Sequence, residues 1–248
     1  MGLAAYAEVE TLPIPPEITP SQREIAMPEL GSTRIEKLLT RYYEEGLGGI
    51  EVWKKINSMR TSGTLEMGDI TYDLISFQLK PDRIKLVLKR DSDEVVLGYD
   101  GNEVWQHYPK VDHPGSVMPD EDARQFIHSS VFGNYLLYPY RGQKKIEYID
   151  TVPEAGTVCH QIRVTLDSNY QVDYYIDVRT HMEIRIDNYD RNSNKRITLR
   201  CSNYQKVDGL PVAHLVKTSN EDGETVTIFK IDTVKFNVGL VNWFFKRP

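Results

Sequence analysis

The feature that most constrains this chain is an alternation of apolar and polar residues with period two. It begins near residue 59 and runs almost to the C-terminus. In 83–89, Ile84, Leu86 and Leu88 fall on one face and Arg83, Lys85 and Lys89 on the other. In 158–166, Val158, His160, Ile162, Val164 and Leu166 share a face, and in 171–178 Val172, Tyr174, Ile176 and Val178 do. Successive side chains of a strand point to opposite faces, so each segment reads as a strand with one face to bury. Short turns such as Gly68-Asp69 and Asp100-Gly101-Asn102 join the segments, which makes neighbours antiparallel. About eleven such strands, with turn signals roughly every ten residues, read as a single β-sheet system.

Alternation with one polar face describes a sheet that is covered on one side only. The cover is available in the sequence. Ser32 is placed to cap a helix whose apolar positions Ile35, Leu38, Leu39 and Tyr42 recur three and four residues apart. Gly46, Gly48 and Gly49 interrupt it, and a short helix over 50–56 follows, with Val52, Trp53 and Ile56 to bury. Pro119-Asp120-Glu121-Asp122 has the chemistry of a helix start, with acids at the positive end of the dipole. That helix runs to about 131 and carries Ala123, Phe126, Ile127 and Val131 on its apolar side. The expected fold is mainly β (α+β): one large curved antiparallel sheet forming an unclosed half-barrel, with helices covering the concave face as a lid.

The first 31 residues differ. Pro13, Pro15, Pro16, Pro20 and Pro28 break regular structure, so 8–31 reads as an extended arm. Ala5-Tyr6-Ala7 ahead of it matches the small-residue pattern of a signal-peptidase site. The expected organisation is a leader remnant and Pro-rich arm over 1–31 and one domain over 32–248.

Composition excludes several classes. With 248 residues, 40% hydrophobic and 10% aromatic, the chain has the material for a sizeable core. No run of about 20 apolar residues is present to form a transmembrane helix. A formal net charge of −6 without a basic patch argues against nucleic acid as a partner. Cys159 and Cys201 lack C-x-x-C spacing and read as separate thiols, or as one disulfide if their strands are neighbours.

Chemistry-bearing motifs are few. There is no G-x-S-x-G elbow, P-loop or H-E-x-x-H. His107, Asp112 and His113 cluster in sequence, but Pro109 and Pro114 make a solvated loop the favoured reading over a metal site. The carboxylate groups Asp91/Asp93/Glu94 and Asp120/Glu121/Asp122 mark a turn and a helix start. The sequence therefore leads away from an enzyme, and it calls for no cofactor and no metal.

One resemblance adds to this reading. The run from Arg41-Tyr42-Tyr43-Glu44-Glu45-Gly46-Leu47-Gly48-Gly49 through Ile56-Asn57-Ser58-Met59-Arg60 to Gly63-Thr64 resembles the start of the outer-membrane lipoprotein-sorting proteins. These belong to the LolA/LolB-like superfamily of periplasmic lipoprotein carriers. Tyr99-Asp100-Gly101-Asn102-Glu103-Val104-Trp105, Tyr174-Tyr175-Ile176-Asp177 and Tyr204-Gln205-Lys206-Val207-Asp208-Gly209-Leu210-Pro211 resemble further motifs of that family, in order. The resemblance implies an unclosed barrel with a helical lid over an apolar cavity for acyl chains. It implies a periplasmic or cell-envelope protein whose partner is a lipid or an acylated lipoprotein. An envelope-stress sensor or interaction module of the same fold, docking on a membrane-anchored protein, is the alternative. The Pro-rich arm and the tail Trp243-Phe244-Phe245 are its candidate docking elements. No residue matches the functional arginine of the carriers.

An acyl chain in such a half-closed sheet gains about 0.8 kcal/mol per buried methylene. The expected lining is Leu65, Met67, Ile84, Leu86, Leu88, Leu97, Trp105, Val164, Tyr174 and Ile176. The expected lid residues are Phe126, Ile127, Leu136 and Leu137. The alternative for each is plain core packing against the helices.

Overall fold

A computed structural model describes residues 33–111, 114–136 and 144–248. The strands are β1 (Ser58–Met67), β2 (Ile70–Leu79), β3 (Arg83–Arg90), β4 (Asp93–Tyr99), β5 (Val104–His107) and β6 (Ser116–Val117) in the first half. The second half holds β7 (Lys144–Glu154), β8 (Thr157–Leu166), β9 (Tyr170–Asp177), β10 (Glu183–Asp190), β11 (Lys195–Val207), β12 (Leu210–Ser219) and β13 (Thr225–Phe236). All thirteen form one antiparallel sheet in the order β6-β5-β4-β3-β2-β1-β13-β12-β11-β10-β9-β8-β7. The expected half-barrel is present. The strand that periodicity misses is β6, whose two residues are too few to show a period.

The order explains the shape. Every neighbour is a sequence neighbour except β1, which pairs with the last strand β13 from Met59↔Phe236 to Glu66↔Ile228. That ladder closes the ends of the chain onto each other and leaves β6 and β7 as the two free edges. The connection from β6 to β7 must therefore reach from one edge of the sheet to the other. It carries α3 (Asp120–Ser129).

Residues directly opposite in a ladder share a face. Ile162↔Tyr174 and Tyr174↔Ile186 place these three on one face in the second half. Leu86↔Leu97 and Ile84↔Tyr99 do the same in the first half. The N-terminal helical segment, the short helix after it and α3 cover this one face. Leu38, Leu39, Tyr42 and Tyr43, from α1 (Arg34–Arg41) and the π-helical turn after it, pack on Ile162, Val164, Val172, Tyr174 and Ile176. Trp53 and Ile56, from the end of α2 (Ile50–Lys55), pack on Leu210 with Phe132. Around α3, Ala123, Phe126 and Ile127 pack on Ile84, Tyr99, Val104 and Met118.

The helix ends are set locally. Thr33, one residue beyond the expected Ser32, caps α1, and the Glu36 carboxylate accepts a hydrogen bond from the Thr33 amide N–H at 2.8 Å. Gly46 lies against the chain at His181, where an added Cβ would stand 1.9 Å from the His181 carbonyl oxygen. The glycines that interrupt the helix thus include one that permits close backbone approach. The expected leader and Pro-rich arm, with Ser32, lie outside the described residues, as do Asp112, His113 and Leu137.

The opposite face has its own apolar cover. Trp105 pairs with Gly98 across β4–β5, and a Cβ at Gly98 would fall 2.2 Å from the indole. The C-terminal turn Asn242–Phe245 lies over this spot. Trp105 Nε1 donates to the Phe245 carbonyl at 2.8 Å, and Phe244 meets Phe77 edge-on at 5.0 Å. Trp243 alone of the tail aromatics is largely exposed, at 73%.

Candidate functional site

The helix-covered face is not filled everywhere. Between α3 with the segment after it and the strands β9–β12 lies a cavity of about 350 Å³, within the range of roughly 300–1,000 Å³ typical of small-molecule sites. One wall is His128 and Tyr135. The other is the sheet, with Tyr170, Tyr174, Ile186 and Leu199 facing in.

The α3 wall is tied down by polar contacts at its edges. His128 stacks on Tyr170 with ring centroids 3.5 Å apart, and its Nδ1 shares a hydrogen bond with the Tyr135 hydroxyl at 2.5 Å. Burial holds the His128 imidazole down to about 4, so it is neutral at pH 7. The Tyr135 amide donates to the Tyr174 hydroxyl at 3.1 Å, and Lys144 Nζ donates to the Tyr135 carbonyl at 2.7 Å. Desolvation lowers Lys144 to about 8.

One cavity residue carries a carboxyl. Glu183 Oε1 accepts hydrogen bonds from the Tyr42 hydroxyl and from Asn134 Nδ2, the latter at 2.6 Å. Desolvation raises the Glu183 carboxyl above its ordinary range, against the opposing effect of those two donors. Around it stand Tyr204, whose hydroxyl donates to the Glu183 carbonyl at 2.7 Å, and Cys201, whose thiol is pushed up to about 12 by burial and then by Glu183.

The expected lining and lid residues divide into several groups. Tyr174 is in the cavity wall. Val164, Ile176 and Leu136 are on the correct face but packed in the core under α1. Ile84, Leu86, Leu97, Phe126 and Ile127 pack with one another on the side of α3 turned away from the cavity. Leu65 and Leu88 are half-buried, and Met67 is exposed at 44%. Trp105 belongs to the opposite face, under the C-terminal turn.

Sequence reading missed Glu183, and the reason is a bulge. Simple alternation along 182–189 puts Ile184 and Ile186 inward and Glu183 outward. The β9–β10 ladder shifts between Glu183 and Arg185, so Glu183 opposes Ile176 while Ile186 opposes Tyr174. Both therefore face in. His128 and Tyr135 were missed because they act on a helix and loop that period-two reading does not address.

The thiols are resolved as free. Cys159 opposes Asp177 on the outer face of β8, and Cys201 opposes Val216 on the inner face of β11, with two strands between them.

A thirteen-stranded sheet left open at β6 and β7, with helices on one face, defines the fold class: an unclosed antiparallel half-barrel. A family model whose description reads "Uncharacterized protein" matches residues 87–248, more than half of the chain, and the chain belongs to that family. Solved structures share the fold at low identity. A DUF1329 family protein from Desulfovibrio piger has a TM-score of 0.59 at 13% identity, over 85% of this chain and 95% of that one. A LolA superfamily protein from Nitrosomonas europaea has 0.57 at 10%, over 87% and 99%. A protein from Vibrio parahaemolyticus described as an outer membrane lipoprotein-sorting protein domain has 0.55 at 15%, over 84% and 94%. No curated protein matches the chain. Among the described residues no helix is long and apolar enough to cross a membrane.

Proposed function

We propose that this protein is a binding protein of the periplasm or cell envelope that holds an acyl chain, of a lipid or a lipoprotein, between α3 and strands β9–β12. The observation that carries the reading is the unfilled space of about 350 Å³ whose wall combines Tyr135, Tyr170, Tyr174, Ile186 and Leu199 with polar groups such as Asn134, Glu183 and Asn188. An apolar space left open in a protein interior forfeits contact energy, and a hydrocarbon ligand restores it. The likeness in fold to a lipoprotein-sorting domain supports the same reading. Entry requires α3 or the segment after it to move, so measured affinity includes the population of the open state. The role is binding rather than catalysis, and no cofactor takes part.

Extraction of the purified protein with organic solvent, followed by mass spectrometry, tests this. Acyl-bearing species in stoichiometric amount are expected. Consistent absence of such species, together with no binding of an apolar fluorescent probe, refutes it.

A further inference from the structure

We propose that the cavity selects an amphiphile whose polar head is an ammonium group, with Glu183 as the residue that recognises it. The proposal rests on the acyl-binding reading above and adds the chemistry of the head group. Both described hydrogen bonds to the Glu183 carboxyl fall on Oε1, from Tyr42 and Asn134. Its other oxygen, Oε2, has no hydrogen-bond partner among the described residues. Glu183 forms part of the cavity wall. Oε2 is thus the free acceptor of an oriented carboxyl, with Tyr42 and Asn134 fixing its plane.

Among the described residues the cations near the cavity are engaged elsewhere. Arg185, two residues on, turns to the other face, where it pairs with Asp187 at 2.7 Å and Glu154 at 2.9 Å. Arg124 pairs with Asp190 at 3.5 Å. Lys144 is committed to the Tyr135 carbonyl, and His128 is neutral. Among the described residues no cation pairs with Glu183. Ionising a buried carboxyl without a counter-charge is costly, and a cation that arrives with hydrogen-bond donors relieves that cost. An ammonium head with its chain against Tyr170, Tyr174, Ile186 and Leu199 supplies both the charge and the donors. A carboxylate head meets like charge at the same place and is rejected.

The test is calorimetric titration of the whole protein at neutral pH with three chain-matched probes, dodecylamine, dodecanol and dodecanoate, each below its micelle concentration. We expect dodecylamine to bind at least about tenfold more tightly than dodecanol, about 1.4 kcal/mol, and dodecanoate to bind most weakly. In Glu183→Gln the ratio of dodecylamine to dodecanol affinity falls to about one. Equal or tighter binding of dodecanoate by the wild-type protein overturns the proposal without any variant being needed. So does an amine preference that survives in Glu183→Gln. Binding of dodecanol with no preference for the amine defeats the head-group proposal and leaves the cavity reading standing. Binding of none of the three defeats both.

Discussion

Tyr42, at the end of α1, donates its hydroxyl to Glu183 of β10, 141 residues away in sequence. The bond ties the N-terminal helical segment to the sheet at the wall of the cavity. Tyr42 is fully buried, and burial followed by the Glu183 charge raises its phenol well above the ordinary range. Tyr42→Phe keeps the ring and removes the donor. We predict a loss of about 1–3 kcal/mol in unfolding free energy, because a buried acceptor loses a partner. Urea unfolding at neutral pH reads it. An unchanged midpoint would show that Asn134 alone satisfies Oε1.

Glu183 and His128 give opposite dependences on pH. The Glu183 carboxyl is raised in the folded state from the usual 4.5, so its contribution is complete below that value and is lost as pH rises through the folded pKa. His128 is lowered from 6.5 to about 4, so the unfolded chain binds the extra proton in that window and stability falls as pH drops through it. His128→Phe, which keeps a ring to stack on Tyr170, is predicted to remove an acid destabilisation on the order of 3 kcal/mol by pH 4. Glu183→Gln is predicted to be less destabilised than wild type as pH rises from 4.5. Unfolding free energies of both variants between pH 4 and 7 check the two slopes separately.

Lys80 is buried at 4% exposure, and its ammonium donates to the Trp53 carbonyl at 2.6 Å. Desolvation lowers it from 10.5 to about 8. Between those values the unfolded chain holds the proton more tightly, so Lys80 makes stability rise with pH across the window. Lys80→Met is predicted to lack that rise. The difference between the two proteins should change by on the order of 3 kcal/mol between pH 7.5 and 10.5. A constant difference would show that the ammonium keeps its solvation.

Trp105, Gly98 and Phe245 form a clasp on the face away from the cavity. A methyl at Gly98 displaces the indole, which is fully buried. Gly98→Ala is predicted to cost about 1–3 kcal/mol through overpacking and to shift tryptophan emission to the red. Binding of apolar probes should be unaffected, since the cavity lies on the other face. Loss of binding would place Trp105 back among the ligand contacts.

Period-two alternation located Ile84, Leu86, Val164, Tyr174 and Ile176 on inward positions because one buried face repeats every second residue. It also identified the helices, since Leu38, Leu39, Phe126 and Ile127 recur at helical spacing. What it lacked was the two-dimensional map. The pairing of β1 with β13 joins segments from opposite ends of the chain, and no local pattern encodes it. Without that map, apolar positions that pack on helices and those that face empty space look alike. This is why only Tyr174 of the expected lining stands in the cavity wall. Glu183 was hidden by one extra residue in β10, a shift that a turn-and-period reading does not register.

The central claim is that the space beside Leu199 and Ile186 is the binding site. Its most direct test is titration of N-phenyl-1-naphthylamine against the wild-type protein and Leu199→Trp, with urea unfolding of both as a control. Leu199 lines the cavity from β11, and an indole there fills the space. The account predicts that probe affinity falls by more than about tenfold while the unfolding midpoint stays within the range of an ordinary surface change. Undiminished probe binding by a folded Leu199→Trp protein would contradict it.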